Sequence, residues 1–335
     1  MSLDLLTIGS CTLDCIIKIK DILRFELLSN DEVKKYTAIE YSKKLNIENV
    51  RFFPGGSAAN IASDCAMMNI KSSYIGMIGT DFSAKMCLDD MKSRGVDISY
   101  INQTEKDKTA FSVILKTNWG KDRSILAYKG ANDLISPSDI NEDLFKKIKA
   151  FAWTSLTKEN SCKAVDKCID LTKKNGGKVF GAPSMSIIKN NKKWADKLIS
   201  KSDILSLNKE EAQAFTNIED TIPIIKELMN KGLDLVSITN GSNGSVLSDG
   251  KNIINNDVYD ISIKDMTGAG DAFMSGIIFS QLNNYDLEKT SKFASAIAAF
   301  EAMKTGVREG IPKDLNKINK FIEGNTLEQV ISELK

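Results

Sequence analysis

The stretch DMTGAGDAF at residues 265–273 constrains the fold and the chemistry of this chain more than any other. Gly268 and Gly270 let the backbone turn and approach a ligand without Cβ clashes. The residues that follow are apolar almost all round and predict a buried helix that begins at about Asp271. Because the first N–H groups of a helix have no partner within it, this turn is a predicted anion site. A carboxylate beside such a site is suited to accept a proton while the turn stabilises negative charge.

Composition excludes several classes of site. The chain has 335 residues, 42% of them hydrophobic and 27% charged, which is enough for one large α/β domain or two smaller ones. Its formal net charge of +1 gives no field that would favour nucleic acid or a membrane surface as partner. Histidine is absent, which excludes Ser-His and Cys-His nucleophile pairs and His-ligated metals. A general base must therefore be Asp, Glu, Lys, Tyr or Cys.

The cysteines and the hydropathy pattern bear on location. The six cysteines include no C-x-x-C pair, and several lie in apolar helical runs, so we interpret them as reduced packing residues. The start of the chain lacks a basic region with a long apolar core, and no later run could span a bilayer. The sequence therefore predicts a cytoplasmic protein without a membrane or nucleic-acid partner.

Strand and helix patterns alternate along most of the chain. Repeated strand–helix units predict an α/β fold with a mostly parallel central sheet covered by helices on both faces. Within this pattern we expect a helix at 138–149, a strand at 259–263 and a helical C-terminal tail. The polar segment 21–49 has helical character and is predicted to be peripheral.

Two segments break the strand–helix alternation. Alternating apolar residues follow the first strand, and 109–128 is a predicted hairpin with its turn near residues 118–122. We see no linker and no internal repeat. We therefore interpret residues 1–335 as a single domain with a small β lid formed by about 12–54 and 98–129.

Five polar or glycine-rich clusters each follow a predicted strand. Ligands of open α/β sheets bind beyond the carboxyl ends of the strands, so we expect these clusters to share one site. The clusters are Asp14, Gly55-Gly56 with Asn60, Asn208 with Glu211, the loop Thr239 to Gly244, and Gly268 to Asp271.

The common nucleotide-binding turns do not match this sequence. A dinucleotide turn needs glycine or alanine at the position that Phe273 occupies, and Asp271 would repel a pyrophosphate. No G-x-x-x-x-G-K-[ST] sequence is present. The remaining option is a phosphotransferase, because phosphoryl transfer needs positioning, neutralisation of charge by a metal, and a group that takes the proton of the acceptor hydroxyl.

Residues 55–60, GGSAAN, together with DMTGAGDAF at 265–273, resemble the two signature motifs of the ribokinase-like (PfkB) carbohydrate kinases. The resemblance extends from Leu5 to about residue 322. It implies a three-layer α/β/α kinase domain with a β lid, which uses ATP and Mg²⁺ to phosphorylate a sugar or a nucleoside, in either case on a primary hydroxyl. A homodimer stays open.

The resemblance also implies roles for individual residues. Asp271 would deprotonate the acceptor hydroxyl, and Gly268, Ala269 and Gly270 would form the anion hole. The acceptor would be held by Asp14, Gly55, Gly56 and Asn60. The nucleotide would be held by Thr239, Gly241, Gly244 and Ala298. Mg²⁺, largely through water, would be organised by Asn208 and Glu211. Some members bind a monovalent cation, with K⁺ the candidate here, at the place of Asp265 and Thr267.

Simpler interpretations exist for the weaker assignments. Asn208 followed by Glu211 is also a helix capping box. The glycine pair could be only a tight turn, Asp14 a turn residue, and residues 239–244 a plain hairpin loop. Phe111 and Trp119 could cover the acceptor from the lid or simply pack.

The acceptor is not determined by these motifs. Residues 180–186, FGAPSMS, lack the acid and the arginine of the Asp-x-Asn-x-Arg-like segment found in many sugar kinases of the family. The insert 21–49 and GGSAAN resemble the adenosine-kinase branch, whereas Gly130-Ala131-Asn132 with Arg123 before it resembles the sugar branch. A sugar is the leading prediction and a nucleoside the alternative. A dinucleotide-dependent oxidoreductase and a non-catalytic ligand-binding protein on the same fold are the remote alternatives.

Overall fold

The computed structural model describes residues 3–19, 22–29, 32–42, 44–116 and 123–334. Within these ranges the chain forms sixteen strands and ten α-helices. The strands are β1 (Leu5–Ile8), β2 (Thr12–Ile19), β3 (Leu23–Ser29), β4 (Glu32–Ala38), β5 (Ile47–Gly55), β6 (Ser72–Ile78), β7 (Ile101–Gln103), β8 (Ala110–Lys116), β9 (Arg123–Tyr128), β10 (Ala150–Thr154), β11 (Lys178–Ala182), β12 (Ile204–Asn208), β13 (Leu235–Thr239), β14 (Ser245–Ser248), β15 (Asn252–Asn256) and β16 (Gln329–Glu333). The helices are α1 (Ser57–Met67), α2 (Phe82–Arg94), α3 (Glu159–Lys174), α4 (Met185–Asn190), α5 (Lys192–Ser200), α6 (Lys209–Thr216), α7 (Thr221–Met229), α8 (Ala269–Leu282), α9 (Leu287–Ala302) and α10 (Leu315–Gly324).

A large sheet in the order β16-β15-β14-β13-β12-β11-β10-β1-β6-β7 forms the centre of the molecule. From β13 to β7 every neighbouring pair is parallel, and β14, β15 and β16 add an antiparallel edge. The predicted mostly parallel central sheet is confirmed. Parallel neighbours need long crossover connections, and the helices supply them.

Apolar side chains on the two faces of this sheet form separate clusters. Phe151 and Trp153 of β10 pack into one cluster with α3, α5 and α7. Ala150 and Ala152 of the same strand pack into the other with α1, α8 and α9. Because successive strand residues point to opposite faces, a continuous apolar run such as that of β10 serves two cores at once. The three-layer α/β/α prediction is confirmed.

Strands also lie where the lid was predicted. A small sheet in the order β5-β2-β8-β9 and a separate hairpin of β3 with β4 occupy these segments, whereas β7 extends the large sheet. The helical character expected for 21–49 is wrong, because cross-strand pairs such as Phe25 stacked on Tyr36, with ring centroids 5.3 Å apart, select strands there. The predicted turn at 118–122, with Trp119, lies outside the described residues.

Three further secondary-structure predictions are wrong. The helix expected at 138–149 is replaced by short 3₁₀ turns at 137–139 and 142–146, because Asn141 caps the second turn and interrupts the helix. The segment 259–263 is irregular, because no strand pairs with it and Tyr259 packs on Phe321 instead. The tail expected to be helical forms β16, because the exposed edge of β15 offers it backbone hydrogen bonds.

The cysteine and membrane predictions can also be compared with the structure. All six cysteines are buried free thiols, which fits their predicted packing role. Within the described ranges, no helix combines the length and the apolar character that a membrane span requires.

Candidate active site

The predicted anion site at residues 265–270, called the anion turn, leads into α8, and Gly270 lines the same cavities as Thr239 at the end of β13. Gly268 has φ +83°, and a Cβ there would lie 3.1 Å from Val307 Cγ1, so glycine suits this position both conformationally and sterically. Helix α8 begins at the next residue, close to the predicted start. Gly276 lets α8 pack tightly on α9, because a Cβ there would lie 2.6 Å from Ala294 Cα. The buried helix fixes the first-turn N–H groups in front of the cavity.

Asp271 stands in the first turn of α8, beside the N–H groups of the anion turn. Its Oδ2 accepts a hydrogen bond of 2.6 Å from Asn60 Nδ2, and the Ser57 side chain also donates to the carboxylate. Burial raises the pKa of Asp271 above its ordinary value, and the nearby negative charge of Asp14 acts in the same direction. The hydrogen bonds and the positive charge of Arg308 oppose this rise without cancelling it. A carboxylate with a raised pKa is a better base than an exposed one.

The glycine pair is explained by close approaches on both sides. A Cβ on Gly55 would lie 2.5 Å from Asp14 Oδ2. Gly56 has φ +91°, and a Cβ there would lie 2.5 Å from the Ser10 carbonyl oxygen. The pair therefore brings the start of α1 against the loop after β1 and against the carboxylate of Asp14.

Asp14 and Asn60 make different contacts within the protein. Asp14 lies on β2, where Ser112 of the adjacent β8 donates its hydroxyl to the carboxylate. Asn60 is only 5% exposed, and both ends of its amide are hydrogen-bonded within the protein, to Asp271 and to Arg308. Its predicted role in holding the acceptor stays a prediction, whereas its contact with the candidate base is observed.

Two connected cavities surround the turn. The larger, of about 300 Å³, contains the predicted nucleotide residues. Those residues are Thr239, Gly241, Gly244 and Ala298. The smaller, of about 190 Å³, contains Asp271 and Glu211. Asn208, Thr239 and Gly270 line both cavities, so a ligand in the larger one reaches the anion turn directly.

Glu211 faces the smaller cavity while it also caps α6. Asn208 Oδ1 accepts from the Glu211 N–H at 2.8 Å, and Glu211 Oε2 accepts from the Asn208 N–H at 3.0 Å, so the predicted capping box is present. Burial, helped by the negative charge of Asp271, raises the pKa of Glu211 to about 7 against the opposing N–H bonds of Asn208 and Met185. The Glu211 carboxylate lines this cavity and suits a divalent cation held through water. Among the described residues, no three or more Cys, Asp or Glu side chains form a cluster that could hold a metal.

Asp265 lies at the base of the turn and is 5% exposed. Its Oδ1 accepts from the N–H and the hydroxyl of Thr267, and its Oδ2 accepts from Lys116 Nζ at 3.0 Å. Burial alone would raise the pKa of Asp265, but the bonds from Thr267 and Lys116 outweigh it and lower the pKa. A lysine from β8 thus already supplies positive charge at the place predicted for a monovalent cation.

The sequence reasoning missed three residues that the structure adds to this site. Ser57 bonds the candidate base, Lys116 bonds Asp265, and Arg308 bonds Asn60. The only sequence signal for Arg308 is a charged residue in the glycine-flanked run GVREG at 306–310. Burial of that side chain depends on α1 and α2, which are more than 200 positions away in the chain.

Comparisons with known proteins agree with this fold. The family model described as pfkB family carbohydrate kinase matches residues 7–314. A ribokinase of Haemophilus influenzae is 28% identical over 79% of this chain and 86% of its own. An ATP-dependent 6-phosphofructokinase of Thermoanaerobacterium thermosaccharolyticum is 25% identical over 85% of this chain and 89% of its own.

Solved structures show the same fold at lower identity. The Arabidopsis thaliana ribokinase complexed with ribose and ATP has a TM-score of 0.80 at 20% identity, with 96% of this chain and 99% of that chain covered. A candidate ribokinase II from E. coli in complex with ATP and Mg²⁺ has a TM-score of 0.80 at 19% identity, with 96% and 99% covered. Since the family model spans most of the chain and the signature motifs form one site, the chain belongs to the pfkB family of carbohydrate kinases and is an ATP-dependent carbohydrate or nucleoside kinase.

Proposed function

We propose that this kinase transfers the γ-phosphoryl group of ATP to a primary hydroxyl of a sugar, with Asp271 as general base. The observation that carries the proposal is a carboxylate of raised pKa fixed beside a glycine turn at the junction of two cavities. The family supports the reaction class, and the local chemistry supports the role of each residue.

The reaction is a direct displacement at phosphorus. The acceptor hydroxyl oxygen forms a bond to the γ-phosphorus as the bond to the bridging oxygen of ADP breaks, and Asp271 takes the hydroxyl proton. The first-turn N–H groups at Gly268 to Gly270 face the charge that develops on the phosphoryl oxygens. Asp14 and the N–H groups of the glycine pair orient the acceptor, and the larger cavity holds the nucleotide between Gly241 to Gly244 and Ala298.

The side chains of Glu211 and Asn208 beside the smaller cavity fit Mg²⁺. Glu211 would hold the ion, with Asn208 on the cavity wall, largely through water, and the ion would neutralise phosphate charge when bound. At Asp265 the fit to K⁺ is poor, because the ammonium of Lys116 is already bonded to that carboxylate.

The lining of the smaller cavity favours a neutral acceptor. Ala182, Pro183 and Ser184 occupy the wall where many sugar kinases of the family carry an acid and an arginine. None of the described residues that line this cavity is a lysine or an arginine, so nothing there would pair with a phosphate on the acceptor. A neutral nucleoside fits this observation equally well and is the second candidate. A homodimer in the cytoplasm remains a prediction from the sequence.

The test is an ADP-release screen with ribose, fructose, 2-keto-3-deoxygluconate, adenosine, inosine and cytidine, with and without K⁺. We expect turnover with at least one acceptor, and Asp271→Asn should lower kcat by about 10²–10⁴ while ATP binding persists, because the variant lacks the general base. Normal turnover by Asp271→Asn would show that another group is the base. No ADP release with any acceptor would favour the non-catalytic alternative, and binding of NAD(P) would favour the oxidoreductase.

A further inference from the structure

Arg308 is a fully buried arginine in the loop between α9 and α10, and its guanidinium reaches three separate elements. Nε donates to Asn60 Oδ1 at 2.6 Å, Nη2 donates to the Gly55 carbonyl oxygen at 2.7 Å, and Nη1 pairs with Asp90 at 2.7 Å. The side chain has no measurable exposure. Two of these three bonds go to the glycine motif that precedes and begins α1.

The bond to Asn60 extends directly to the candidate base. Asn60 accepts from Arg308 through Oδ1 and donates to Asp271 through Nδ2, with both bonds at 2.6 Å. Because an amide has its acceptor and its donors on opposite atoms, the guanidinium fixes which atom of Asn60 faces Asp271. Without a donor at Oδ1, a flipped amide would place its oxygen against the carboxylate.

The same loop also supports the anion turn from behind. The Arg308 backbone, at φ +69°, donates its N–H to Glu301 Oε1 at 2.6 Å, and the Gly310 N–H bonds Glu301 Oε2 at 2.9 Å. Val307 packs against Gly268, since a Cβ there would lie 3.1 Å from it. One loop thus contacts both the anion hole and the support of the base, and a non-glycine residue at positive φ is held there by these bonds.

We propose that Arg308 is a positioning residue for phosphoryl transfer, which orients Asn60 so that its amide donates to Asp271 and which supplies the positive charge nearest that carboxylate from the protein interior. This inference rests on the proposed function, since it takes Asp271 as the base. It assigns a catalytic consequence to an arginine that is not among the described residues lining the two cavities beside the anion turn.

The charge balance around Asp271 makes this role measurable. The groups that face Asp271 are Asp14 from β2, Asp64 from α1, Glu211 from α6 and Arg308 from the loop after α9. Three of these four are acids, and burial together with Glu301 raises the pKa of Asp64 well above its ordinary value. Arg308 therefore opposes the local negative charge, and its loss should raise the pKa of Asp271.

The experiment compares Arg308→Gln and Arg308→Lys with the wild-type enzyme. Asp271 acts as a carboxylate, so activity falls as pH drops through its pKa. Arg308→Gln should move the acid limb of the kcat profile to higher pH by about 0.5–1 unit and lower kcat about tenfold at its optimum. Arg308→Lys retains the positive charge but lacks the planar guanidinium with its several N–H donors. The acid limb should therefore stay near that of the wild type while kcat falls.

The matched control is Arg94→Met. Arg94 pairs with the same Asp90 and with Glu309 and donates from Nη1 to the backbone carbonyl of Arg308, so it supports the same loop, but among the described residues it makes no hydrogen bond to Asn60 or Gly55. The Arg94→Met variant should have a lower melting temperature, but the acid limb of its kcat profile should stay in place. Should Arg308→Gln fold poorly, Arg308→Gln combined with Asp90→Asn removes both members of the ion pair and tests the same shift.

A readout independent of turnover separates this inference from the proposed function. The Asp271 carboxyl pKa is measured by ¹³C NMR titration, with the resonance assigned from Asp271→Asn. A higher pKa in Arg308→Gln supports the inference even if no acceptor is found, whereas absence of turnover in the wild type counts only against the proposed function. An unchanged pKa and acid limb in Arg308→Gln would overturn the inference, and so would failure of Arg308→Lys to fold, since the arginine would then serve folding.

Discussion

The helices behind the anion turn and the hairpin of β3 with β4 are held in very different ways. Behind the turn, α1, α8 and α9 share one apolar cluster, and hydrogen bonds link Asp271 to Asn60 and Asn60 to Arg308. In the hairpin of β3 with β4, apolar side chains face outward, and Leu23 and Leu28 are 66% and 77% exposed. In the described residues this hairpin pairs only with itself. Asp271 is therefore fixed by many interactions, whereas the hairpin of β3 with β4 is fixed by few.

This difference separates the chemistry from the choice of acceptor. Asp271 belongs to the well-packed part, while Asp14 and Lys116 belong to strands of the small sheet. Neither Asp14 nor Lys116 belongs to the apolar clusters on the two faces of the large sheet, so we expect substitutions there to change binding at small cost to the core. We expect mutations behind the turn to change kcat and mutations in the small sheet to change affinity.

Among the substitutions that test this difference between the two regions, Asp14→Asn is expected to have the largest effect. Loss of a charged acceptor of hydrogen bonds costs about 1.5–3 kcal/mol, so the KM for the acceptor should rise by about 10–100-fold while the KM for ATP stays unchanged. The acid limb of kcat should move to lower pH, because Asp14 raises the pKa of Asp271.

Ser112→Ala is the matched control for this substitution. It removes the hydroxyl that bonds Asp14 but leaves the charge, so the acid limb should stay in place. If Asp14→Asn raised both KM values equally, the small sheet would not be the acceptor wall.

A smaller effect is expected from Glu211→Gln in titrations of Mg²⁺. With a pKa of about 7, Glu211 is ionised at pH 8 and mostly protonated at pH 6, so the Mg²⁺ needed for half-maximal rate should rise as pH falls through 7 in the wild type. Glutamine keeps the capping box but carries no charge, so the variant should need about tenfold more Mg²⁺ at pH 8 and lose that pH dependence. Glu210→Gln, on the exposed side of the same turn, should need as much Mg²⁺ as the wild type at pH 8 and keep the pH dependence, moved slightly to lower pH because Glu210 contributes to the raised pKa of Glu211. An unchanged Mg²⁺ titration for Glu211→Gln would leave Glu211 with its capping role alone.

What the sequence predicted correctly was mostly local. The turn at Gly268, the buried helix after it and the capping box of Asn208 with Glu211 depend on residues within a few positions of one another. The parallel sheet could be predicted from repeated apolar runs such as Ala150–Thr154, because such a run is recognised as a buried strand without knowledge of the strand that pairs with it.

What could not be predicted depends on distant contacts. Arg308 is defined by atoms of Gly55, Asn60 and Asp90, and no pattern near residue 308 specifies them. The segment 21–49 was misassigned because its charged residues alternate with apolar ones in a way that only cross-strand pairing turns into a hairpin. The acceptor stays undetermined for the same reason, since the residues predicted to hold it lie on β2, β5 and α1 and at the junction of the last two, in separate parts of the chain.

The smallest effect, and the sharpest test of how the two regions communicate, is expected at Lys116. Its bond to Asp265 at 3.0 Å joins the small sheet to the base of the anion turn, with side-chain exposures of 34% and 2%. Because this ammonium already neutralises the carboxylate, we expect K⁺ to change the activity of the wild type by less than about twofold. A change of that size is at the low end of what one surface ion pair contributes. Lys116→Met should lower activity in Na⁺-free, K⁺-free buffer and should be stimulated by K⁺, by up to about fivefold.

Lys18→Met is the matched control for Lys116→Met. Lys18 is the cross-strand neighbour of Lys116 on β2, and its ammonium pairs with Glu48 at 3.5 Å instead of with Asp265. Removing it changes the charge of the small sheet by the same amount without touching the turn, so no K⁺ response should appear. Strong stimulation of the wild type by K⁺ would mean that a cation displaces Lys116 during turnover, and the small sheet would then be coupled to the reaction centre through an ion rather than through a side chain.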